Sequence, residues 1–482
     1  MTLTTTQSRP QLIDDVRRYF DDGRFAADLR RRVAWRTESD TGQVVPALRT
    51  YLTDEVVPWL KPLGFDCQVV DNPDPRGGPL LLARRVEDPA LPTVLTYGHG
   101  DVVNGQDSAW REGLSPWELT IEDDRWYGRG TADNKGQHTI SLAALAHTLE
   151  ARQGRLGYNV TLLMEMGEEA GSPGLAAFCE QHRDALKAEL FVASDGPRVN
   201  SARPTLFLGS RGAINFSLTV RSRDKAYHSG NWGGVLANPA TVLTHALATL
   251  VDPKGRILVK GLLPPTVPSK LRAALQDVVI GTGTDDPALT PGWGEPGLTP
   301  AEQLVGWNTL EVLALGAGNA QRPINAIPSQ AVAHCQLRFV VGTDWHNVEA
   351  IVREHLDAHG FADVAITLGM VCGATRLDLH NPWVDWALAS LEASAGQAAT
   401  LLPNLAGSLP NDIFADQLGL PTLWVPHSYP ACAQHAPNEH LLGSVAREGL
   451  AVMAGLFWDL GEAQGTPWKE GALPSKGVPV AT

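Results

Sequence analysis

The stretch TVLTYGHGD, residues 93–101, joins a strand-like run to a histidine and an aspartate. TVLTY is rich in Thr, Val and Leu and does not alternate with polar residues, which is typical of a strand buried on both faces of a parallel sheet. The same pattern recurs in VTLLMEM (160–166), ELFVAS (189–194) and PTLWVP (421–426). Helical patterns lie at 137–153, between these runs, and at 446–462, after the last of them. We therefore predict an α/β fold with a mainly parallel sheet sandwiched by helices.

The region from about 205 to 374 has a different pattern, which predicts an inserted domain. FSLTVRSR (216–223) and AVAHCQLRFVV (331–341) alternate apolar and polar residues, as half-exposed antiparallel strands do. A helical pattern returns at 381–396. We therefore predict a first domain built from residues 1–204 and 375–482, interrupted by an α+β domain at 205–374. The tail after about 463, rich in Pro, Gly and Lys, is predicted to be poorly packed.

Composition excludes several classes of protein. The chain has 482 residues, of which 43% are apolar and 19% charged, an ordinary globular balance. Acidic residues outnumber basic ones by 53 to 39, for a net charge of −14, so the basic surface that holds a nucleic-acid backbone is missing. No run approaches the roughly 18 apolar residues of a membrane span, and the first residues lack the apolar core of a secretory signal. We expect neither a nucleic-acid partner nor a membrane partner.

The cysteines point to a reducing compartment. They are odd in number, widely scattered and without any CxxC pair, which argues against a disulfide framework and against a thiolate zinc site. The five are Cys67, Cys179, Cys335, Cys372 and Cys432. We therefore expect a cytoplasmic protein.

Residues able to bind a cation follow the ends of the predicted strands, and one more acid, Asp133, precedes the helical pattern at 137–153. Because the carboxyl ends of parallel strands meet at one edge of a sheet, we expect these residues to lie close together. So many carboxylates would repel one another unless a cation lay between them. Imidazole and carboxylate ligands without thiolate suit Zn²⁺, Mn²⁺ or Co²⁺. In chain order the residues are His99, Asp101, Asp133, Glu168, Glu169, Asp195, His435 and Glu439.

Each of these residues has a plainer interpretation when it is taken alone. A Glu-Glu pair such as Glu168–Glu169 is usually solvated surface. Asp195 precedes a glycine, as a turn residue would, and Asp133 could be a surface charge at a helix start. Their joint position at strand ends is what these interpretations do not explain. The sequence has neither a GxSxG nucleophile elbow nor a GxxxxGK phosphate loop, so nucleophilic-serine and phosphate-loop chemistry are not indicated.

Five short motifs together resemble the M20 metallopeptidase family. That family contains dipeptidases, glutamate carboxypeptidases, aminoacylases and deacylases of N-acyl amino acids. The motifs occur in the family's order and span most of the chain. They are HGD at 99–101, YGRGTADNKG at 127–136, MGEEAGS at 166–172, SDG at 194–196 and HAPNE at 435–439.

The resemblance implies a centre for two divalent ions per subunit, Zn²⁺ first, with Mn²⁺ or Co²⁺ as alternatives. It places His99 and Asp195 on one ion, Glu169 and His435 on the other, and Asp133 between both. Asp101 would orient the His99 ring. Glu168 would act as the general base, taking a proton from the metal-bridging water and later protonating the leaving amine.

The inserted region also resembles the family, as the lid that carries the dimer interface. AYHSGNWGGVLANP (226–239) contains His228, which would reach into the partner's active site and stabilise the tetrahedral oxyanion. Arg338 would hold a substrate carboxylate. The remaining residues expected to contact substrate are Asn325 in NAIP and Gly407 with Ser408 in GSLPND. DPKGRILVKG (252–261) resembles the dipeptidase and carnosinase-like branch, whereas Asn104 and the single glycine of GSLP depart from the commoner family pattern.

We therefore predict a metal-dependent hydrolase that cleaves the amide bond of a small peptide next to a free carboxylate, as a dipeptidase or carboxypeptidase. An N-acyl amino acid deacylase is the alternative within the same family. A third hypothesis is a binding protein with this fold and without activity. We expect a homodimer formed through the lid.

Overall fold

The computed structural model describes residues 7–40, 44–264, 266–281, 283, 286–462 and 465–468. Most of the tail predicted to be poorly packed therefore lies outside the described residues. Within its described part, the Trp468 ring lies 4.9 Å from the Trp383 ring, centroid to centroid. That short piece is thus packed against the body of the protein. No helix of the described residues has the length and apolar character needed to cross a membrane.

Strands alternate with helices along most of the chain. Within the described residues the strands are β1 (Asp66–Val70), β2 (Leu80–Arg85), β3 (Thr93–His99), β4 (Thr120–Glu122), β5 (Arg125–Tyr127), β6 (Asn159–Glu165), β7 (Leu190–Ala193), β8 (Thr205–Phe207), β9 (Gly212–Arg221), β10 (Tyr227–His228), β11 (Thr309–Ala317), β12 (Ala326–Ile327), β13 (Gln330–Phe339), β14 (Ala365–Cys372), β15 (Thr400–Leu402), β16 (Thr422–Trp424) and β17 (His440–Leu442).

The α-helices of the described residues are α1 (Arg9–Asp21), α2 (Arg24–Val33), α3 (Pro46–Thr50), α4 (Val57–Leu60), α5 (Lys135–Ala151), α6 (Leu175–Gln181), α7 (Ser229–Trp232), α8 (Pro239–Leu250), α9 (Ser269–Ala274), α10 (Pro300–Gly306), α11 (Val348–Ala358), α12 (Pro382–Ala395) and α13 (Gly443–Leu460). A π-helical segment, Tyr51–Val56, joins α3 to α4. Pro58 lies in the first turn of α4, where a missing backbone N–H costs least.

The large sheet has the strand order β1-β2-β6-β3-β7-β16-β8-β15. The four strands predicted from the apolar runs, β6, β3, β7 and β16, are neighbours at its centre and pair in parallel. β15 and β8 also pair in parallel, whereas β1–β2, β2–β6 and β16–β8 are antiparallel. The prediction of a mainly parallel sheet is confirmed.

Alternate side chains of the central strands enter two different cores, because the sheet is covered on both faces. In β3, Val94 packs into one core and Leu95 into the other. Residues of α1, α5, α12 and α13 line the first core. Residues of α6, α9 and α10 line the second core. This arrangement explains why TVLTY does not alternate with polar residues.

A second, antiparallel sheet has the order β11-β13-β9-β14. One face is covered by α8 and α11, which bury Leu243 and Val352 against Phe216 and Leu337 of the sheet. Side chains of β9 alternate between buried and half-buried positions. The predicted half-exposed strands at 216–223 and 331–341 are thus found. β11 exposes most of its residues.

The two sheets are joined by two crossing segments that run side by side. The Leu377 N–H donates to the Leu208 carbonyl at 2.8 Å, and the Thr375 N–H donates to the Ser210 carbonyl at 3.0 Å. Thr205–Phe207, placed by the sequence in the inserted domain, forms β8 of the large sheet. We therefore propose that the chain crosses to the inserted domain at 208–211, and that the other boundary, near 374, stays where the sequence places it.

Candidate metal centre

Three central strands deliver polar residues to the same edge of the large sheet. β3 ends at His99, β6 is followed by Glu168 and Glu169 in a short 3₁₀ turn, and β7 is followed by Asp195. His99 is level with Glu165 of β6, and Tyr97 is level with Ala193 of β7. The parallel register therefore places these side chains together.

The predicted ligands form two groups that share Asp133. His99, Asp133 and Asp195 make up one group, and Asp133, Glu169 and His435 make up the other; within each, the potential ligand atoms lie within 4.8 Å of one another. Asp133 Oδ1 lies 3.0 Å from His99 Nε2, and its Oδ2 lies 3.2 Å from His435 Nε2. The shared carboxylate thus faces both histidines, as the resemblance implies for a bridging ligand.

The remaining carboxylates approach the same two imidazoles. Asp195 Oδ2 lies 3.6 Å from His99 Nε2, and Glu169 Oε2 lies 3.0 Å from His435 Nε2. The His99 side chain is fully buried, whereas that of His435 is 55% exposed. The centre is therefore open to solvent on the His435 side and closed on the His99 side.

Burial and mutual repulsion perturb the acids of the centre. Burial, reinforced by the Asp133 charge, raises the pKa of Glu169 to about 7 and that of Asp195 to about 6. Burial by itself lowers the pKa of His99, but hydrogen bonds to Asp101 and Asp133 raise it well above its usual value. Without a cation, some of these groups hold protons to limit the repulsion between carboxylates.

The donor set fits a pair of divalent ions. Glu169 Oε1 and Asp195 Oδ2 are buried and have no hydrogen-bond partner among the described residues. Buried carboxylate oxygens are rarely left unpaired unless something outside the chain binds them. Imidazole nitrogen and carboxylate oxygen without sulfur are the ligands of zinc and of harder divalent ions.

Asp101 lies behind His99 and organises the loop that carries the two glutamates. Its Oδ1 lies 3.3 Å from His99 Nδ1 and accepts a hydrogen bond from the Glu168 N–H at 3.2 Å. Its Oδ2 accepts from the Glu169 N–H at 3.1 Å and from Ser39 Oγ at 2.6 Å. The Asp101 backbone carbonyl also lies 3.1 Å from His99 Nδ1. Asp101 therefore holds the ligand ring through two oxygens and the glutamate turn through its carboxylate.

Glu168 differs from its neighbour in position. Its Oε2 lies 4.0 Å from His99 Nε2, and it belongs to neither ligand group. Burial, together with the charges of Glu169 and Asp195, raises the pKa of Glu168 well above its usual value. A carboxylate with a raised pKa beside a metal centre can accept and return a proton near neutral pH.

The predicted carboxylate-binding residues form a separate cluster at the junction of the sheets. Arg338, on β13, donates from Nη1 to Ser408 Oγ at 2.8 Å and from Nε to Gln336 Oε1 at 2.8 Å. Ser408 Oγ in turn donates to the Arg211 carbonyl at 2.6 Å. Arg338 forms no ion pair with any residue that the structure describes. Gly407 precedes Ser408 in the same loop.

His228 and Asn325 lie together but apart from the ligands. They are held by the β10–β12 pair, in which the Ser229 N–H donates to the Asn325 carbonyl at 2.9 Å. Both side chains are exposed. Within the described chain, neither forms a hydrogen bond or ion pair with the ligand groups. Within the described chain, His228 is therefore not bonded to the metal centre.

Sequence reasoning missed Arg129, which is fully buried and pairs with Glu439 next to Asp133. Glu439 belongs to the HAPNE motif and was a candidate from the sequence. Nothing in the GRG segment, however, indicates that its arginine, Arg129, is buried. Ser39, which binds Asp101, was also missed because a lone serine in a loop carries no pattern.

A family model described as peptidase family M20/M25/M40 matches residues 95–459. The chain belongs to this peptidase family. The Beta-Ala-His dipeptidase of Mus musculus is 34% identical over 273 residues, covering 53% of this chain and 54% of that protein. The Cys-Gly metallodipeptidase dug1 of Schizosaccharomyces pombe is 30% identical over 312 residues, covering 60% of this chain and 62% of that protein. The chain thus spans between half and two thirds of the length of these relatives.

Solved structures of the M20 family share the fold. An M20 family metallo-carboxypeptidase from Sulfolobus solfataricus superposes with a TM-score of 0.79 at 25% identity, covering 91% of this chain and 99% of that chain. The sheet with flanking helices and an inserted domain, which the strand and helix patterns predict, is therefore the arrangement of the M20 fold.

Proposed function

We propose that this protein is a metal-dependent dipeptidase, which hydrolyses an amide bond next to a free carboxylate. The observation that carries the proposal is the pair of ligand groups sharing Asp133, with Glu168 beside them. The M20 family and the names of the two relatives, a Beta-Ala-His dipeptidase and a Cys-Gly metallodipeptidase, support the substrate class. No described contact favours the deacylase alternative, and the relatives do not support it.

In this proposal His99 and Asp195 hold one ion, Glu169 and His435 hold the other, and Asp133 holds both. Bound divalent ions supply Lewis-acid polarisation of the scissile carbonyl and lower the pKa of water. We propose Zn²⁺ as the native ion, with Mn²⁺ or Co²⁺ as alternatives, because the ligands are imidazole and carboxylate. The unpaired oxygens of Glu169 and Asp195 support this set.

Glu168 is the proposed proton carrier. It accepts the proton of the attacking water and returns it to the amine nitrogen as the amide bond breaks. Its distance of 4.0 Å from His99 Nε2 leaves it near the centre without making it a ligand. Asp101 contributes by holding the Glu168 backbone and the His99 ring in place.

Arg338 and Ser408 are the proposed site for the substrate carboxylate. A half-buried guanidinium without a carboxylate partner in the described chain is suited to a negatively charged ligand. The Arg338–Ser408 hydrogen bond of 2.8 Å fixes the guanidinium, and Gly407, which precedes Ser408, is proposed to line the same site. Asn325 is proposed to contact substrate from the His228 side.

The active unit is proposed to be a homodimer formed through the lid. The exposed edge strand β11 presents Leu313 and Leu315, which are 58% and 55% exposed, and Ile324, in the connection that follows the strand, is 75% exposed. A cluster of exposed apolar side chains of this kind favours contact with another protein surface. In the dimer, His228 of one subunit would donate a hydrogen bond to the oxyanion formed in the other.

The proposed compartment rests on the cysteines. They are odd in number, scattered along the sequence and without a CxxC pair, as is common in a reducing cytoplasm. We therefore keep the cytoplasm as the proposed location.

A substrate panel tests the proposal. Purified protein is loaded with Zn²⁺, Mn²⁺ or Co²⁺ and supplied with β-Ala-His, Cys-Gly, the same dipeptides as C-terminal amides, and N-acetyl amino acids. We expect hydrolysis of the free dipeptides, with the amides and the N-acetyl amino acids cleaved far more slowly. Preferential cleavage of N-acetyl amino acids would favour the deacylase, and bound metal without hydrolysis of any substrate would favour the binding protein.

A further inference from the structure

Beneath the shared ligand lies an ion pair that the proposed reaction does not use. Arg129 Nη1 lies 2.7 Å from Glu439 Oε2, and both side chains are 1% exposed. Taking two charges out of water is costly, so a buried pair of this kind must form further hydrogen bonds to be tolerated. The further hydrogen bonds of the two side chains go to the loop of Asp133 and to the segment after His99, whereas Arg129 Nε has no hydrogen-bond partner among the described residues.

Glu439 holds the backbone of the shared ligand. Its Oε1 accepts hydrogen bonds from the N–H groups of Ala132 and Asp133, at 2.9 and 3.0 Å. The Gly128 N–H donates to the Glu439 carbonyl at 3.0 Å. The loop that presents Asp133 is therefore attached to Glu439 at three points.

Arg129 connects the same loop to the segment that follows His99. Its Nη2 donates to the Asn104 carbonyl at 3.0 Å, while its Nη1 binds Glu439. The guanidinium thus bridges a loop after β3 and a residue near the C-terminal end of the chain.

Glu439 also lies in the segment that carries His435, and this segment is attached to the loop after His99. Gln106 Nε2 donates to the His435 carbonyl at 3.0 Å. The Arg111 N–H donates to Asn438 Oδ1 at 2.8 Å. Three ligand-bearing segments, far apart in sequence, therefore meet around one buried ion pair.

We infer that Arg129 and Glu439 are positioning residues which fix the shared ligand Asp133 in place and so set the metal affinity of both sites together. The inference rests on the metal centre proposed above. Neither side chain belongs to a ligand group, so their effect must pass through Asp133 and its loop. Because Asp133 belongs to both groups, a displaced loop weakens both sites and not one.

Glu439→Gln is the sharpest test because it keeps the size of the side chain. The carboxylate accepts from Arg129 on one oxygen and from two N–H groups on the other, and an amide cannot accept on both sides. We expect both dissociation constants for Zn²⁺ to rise about 10–100-fold, the usual effect of losing a partner that orients metal ligands. The measurement is a titration of the full-length apoprotein with Zn²⁺ against a chelating dye.

Adding Arg129→Met provides a rescue that a merely structural role would not give. With the guanidinium gone, the amide oxygen of the Glu439→Gln side chain is free to accept from both N–H groups. We expect the double variant to bind Zn²⁺ more tightly than the single variant and more weakly than wild type, because the bond to the Asn104 carbonyl is lost. The absorption spectrum of the Co²⁺-loaded protein should differ most from wild type in Glu439→Gln and less in the double variant.

A second buried pair serves as the matched control. Arg32 Nε lies 3.3 Å from Glu55 Oε1, with side chains 1% and 9% exposed, and Arg32 also binds Thr139. Glu55→Gln should lower the melting temperature and leave both Zn²⁺ constants unchanged.

The outcomes separate this inference from the proposed function. A wild-type protein that binds no divalent ion would overturn both. Two bound ions in wild type and unchanged constants in folded Glu439→Gln would overturn this inference alone. If the single variant does not fold, wild-type constants in Arg129→Met/Glu439→Gln would overturn it in the same way.

Discussion

Asp101→Asn should damage the metal centre although the substitution preserves size and Asp101 belongs to neither ligand group. The carboxylate is fully buried and receives hydrogen bonds from Ser39, Glu168 and Glu169, and its Oδ1 faces His99 Nδ1 at 3.3 Å. All these neighbours can donate, and an amide group can accept at only one of its two ends.

The expected loss of stability follows from the two possible orientations of the asparagine amide, whose nitrogen replaces either Oδ2 or Oδ1 of Asp101. At the Oδ2 position it faces the Glu169 N–H, although Ser39 can rotate and accept. At the Oδ1 position it faces both the Glu168 N–H and His99 Nδ1. At least one backbone donor is left unpaired in either case, at a cost of about 1–3 kcal/mol in the free energy of unfolding. Metal affinity should fall about 10–100-fold, because the glutamate turn loses its acceptor and His99 Nδ1 keeps only the Asp101 backbone carbonyl at 3.1 Å.

The assay combines urea unfolding of the apoprotein with Zn²⁺ titration and dipeptide turnover. Ser39→Ala is the control, since it removes one hydrogen bond and keeps the charge of Asp101; it should cost about 1 kcal/mol of stability and leave metal affinity near wild type. Wild-type metal affinity and turnover in Asp101→Asn would refute the orienting role of this carboxylate.

Three further predictions concern the reaction. Glu168→Gln should keep its metal content and lose at least about a hundredfold in turnover, the scale of general-base removal; near-normal turnover would reject Glu168 as the base. Arg338→Met should lose about 1.5–3 kcal/mol of transition-state binding for free dipeptides and much less for their C-terminal amides, as judged by kcat/KM, and an equal loss for both would remove the carboxylate role. His228→Ala should lose about 10²–10³ in rate. When His228→Ala subunits are mixed with Glu168→Gln subunits, activity should return, because one of the two sites in each heterodimer has neither defect. If the subunits exchange and no activity returns, His228 does not act in trans.

The central strands and the residues that follow them could be predicted because two physical rules act together. A strand buried on both faces must be apolar throughout, so TVLTY and its counterparts stand out in the sequence. Parallel strands end at one edge, so His99, Glu169 and Asp195 had to converge. His435 follows β16 only after a loop that no periodicity describes, so the sequence pattern made it a candidate and only the resemblance assigned its partner Glu169.

Other features depend on contacts that sequence patterns do not encode. The sequence prediction places Thr205–Phe207 at the start of the inserted domain. In the structure its three buried residues pair with β15 and β16 in the large sheet. The Arg129–Glu439 pair joins residues more than 300 positions apart, and a buried arginine has the same local signal as a surface one. The boundaries of the inserted domain and the trans role of His228 stay predictions.

Titration of the apoprotein with Zn²⁺ while dipeptide hydrolysis is followed tests the central claim most directly. Two ligand groups that share Asp133 predict that activity rises with added metal and reaches its maximum at two ions per chain. The same titration of Asp133→Asn should show both sites weakened and activity lost. Full hydrolysis by metal-free protein, or tight binding of two ions by Asp133→Asn, would contradict a centre built on this shared carboxylate.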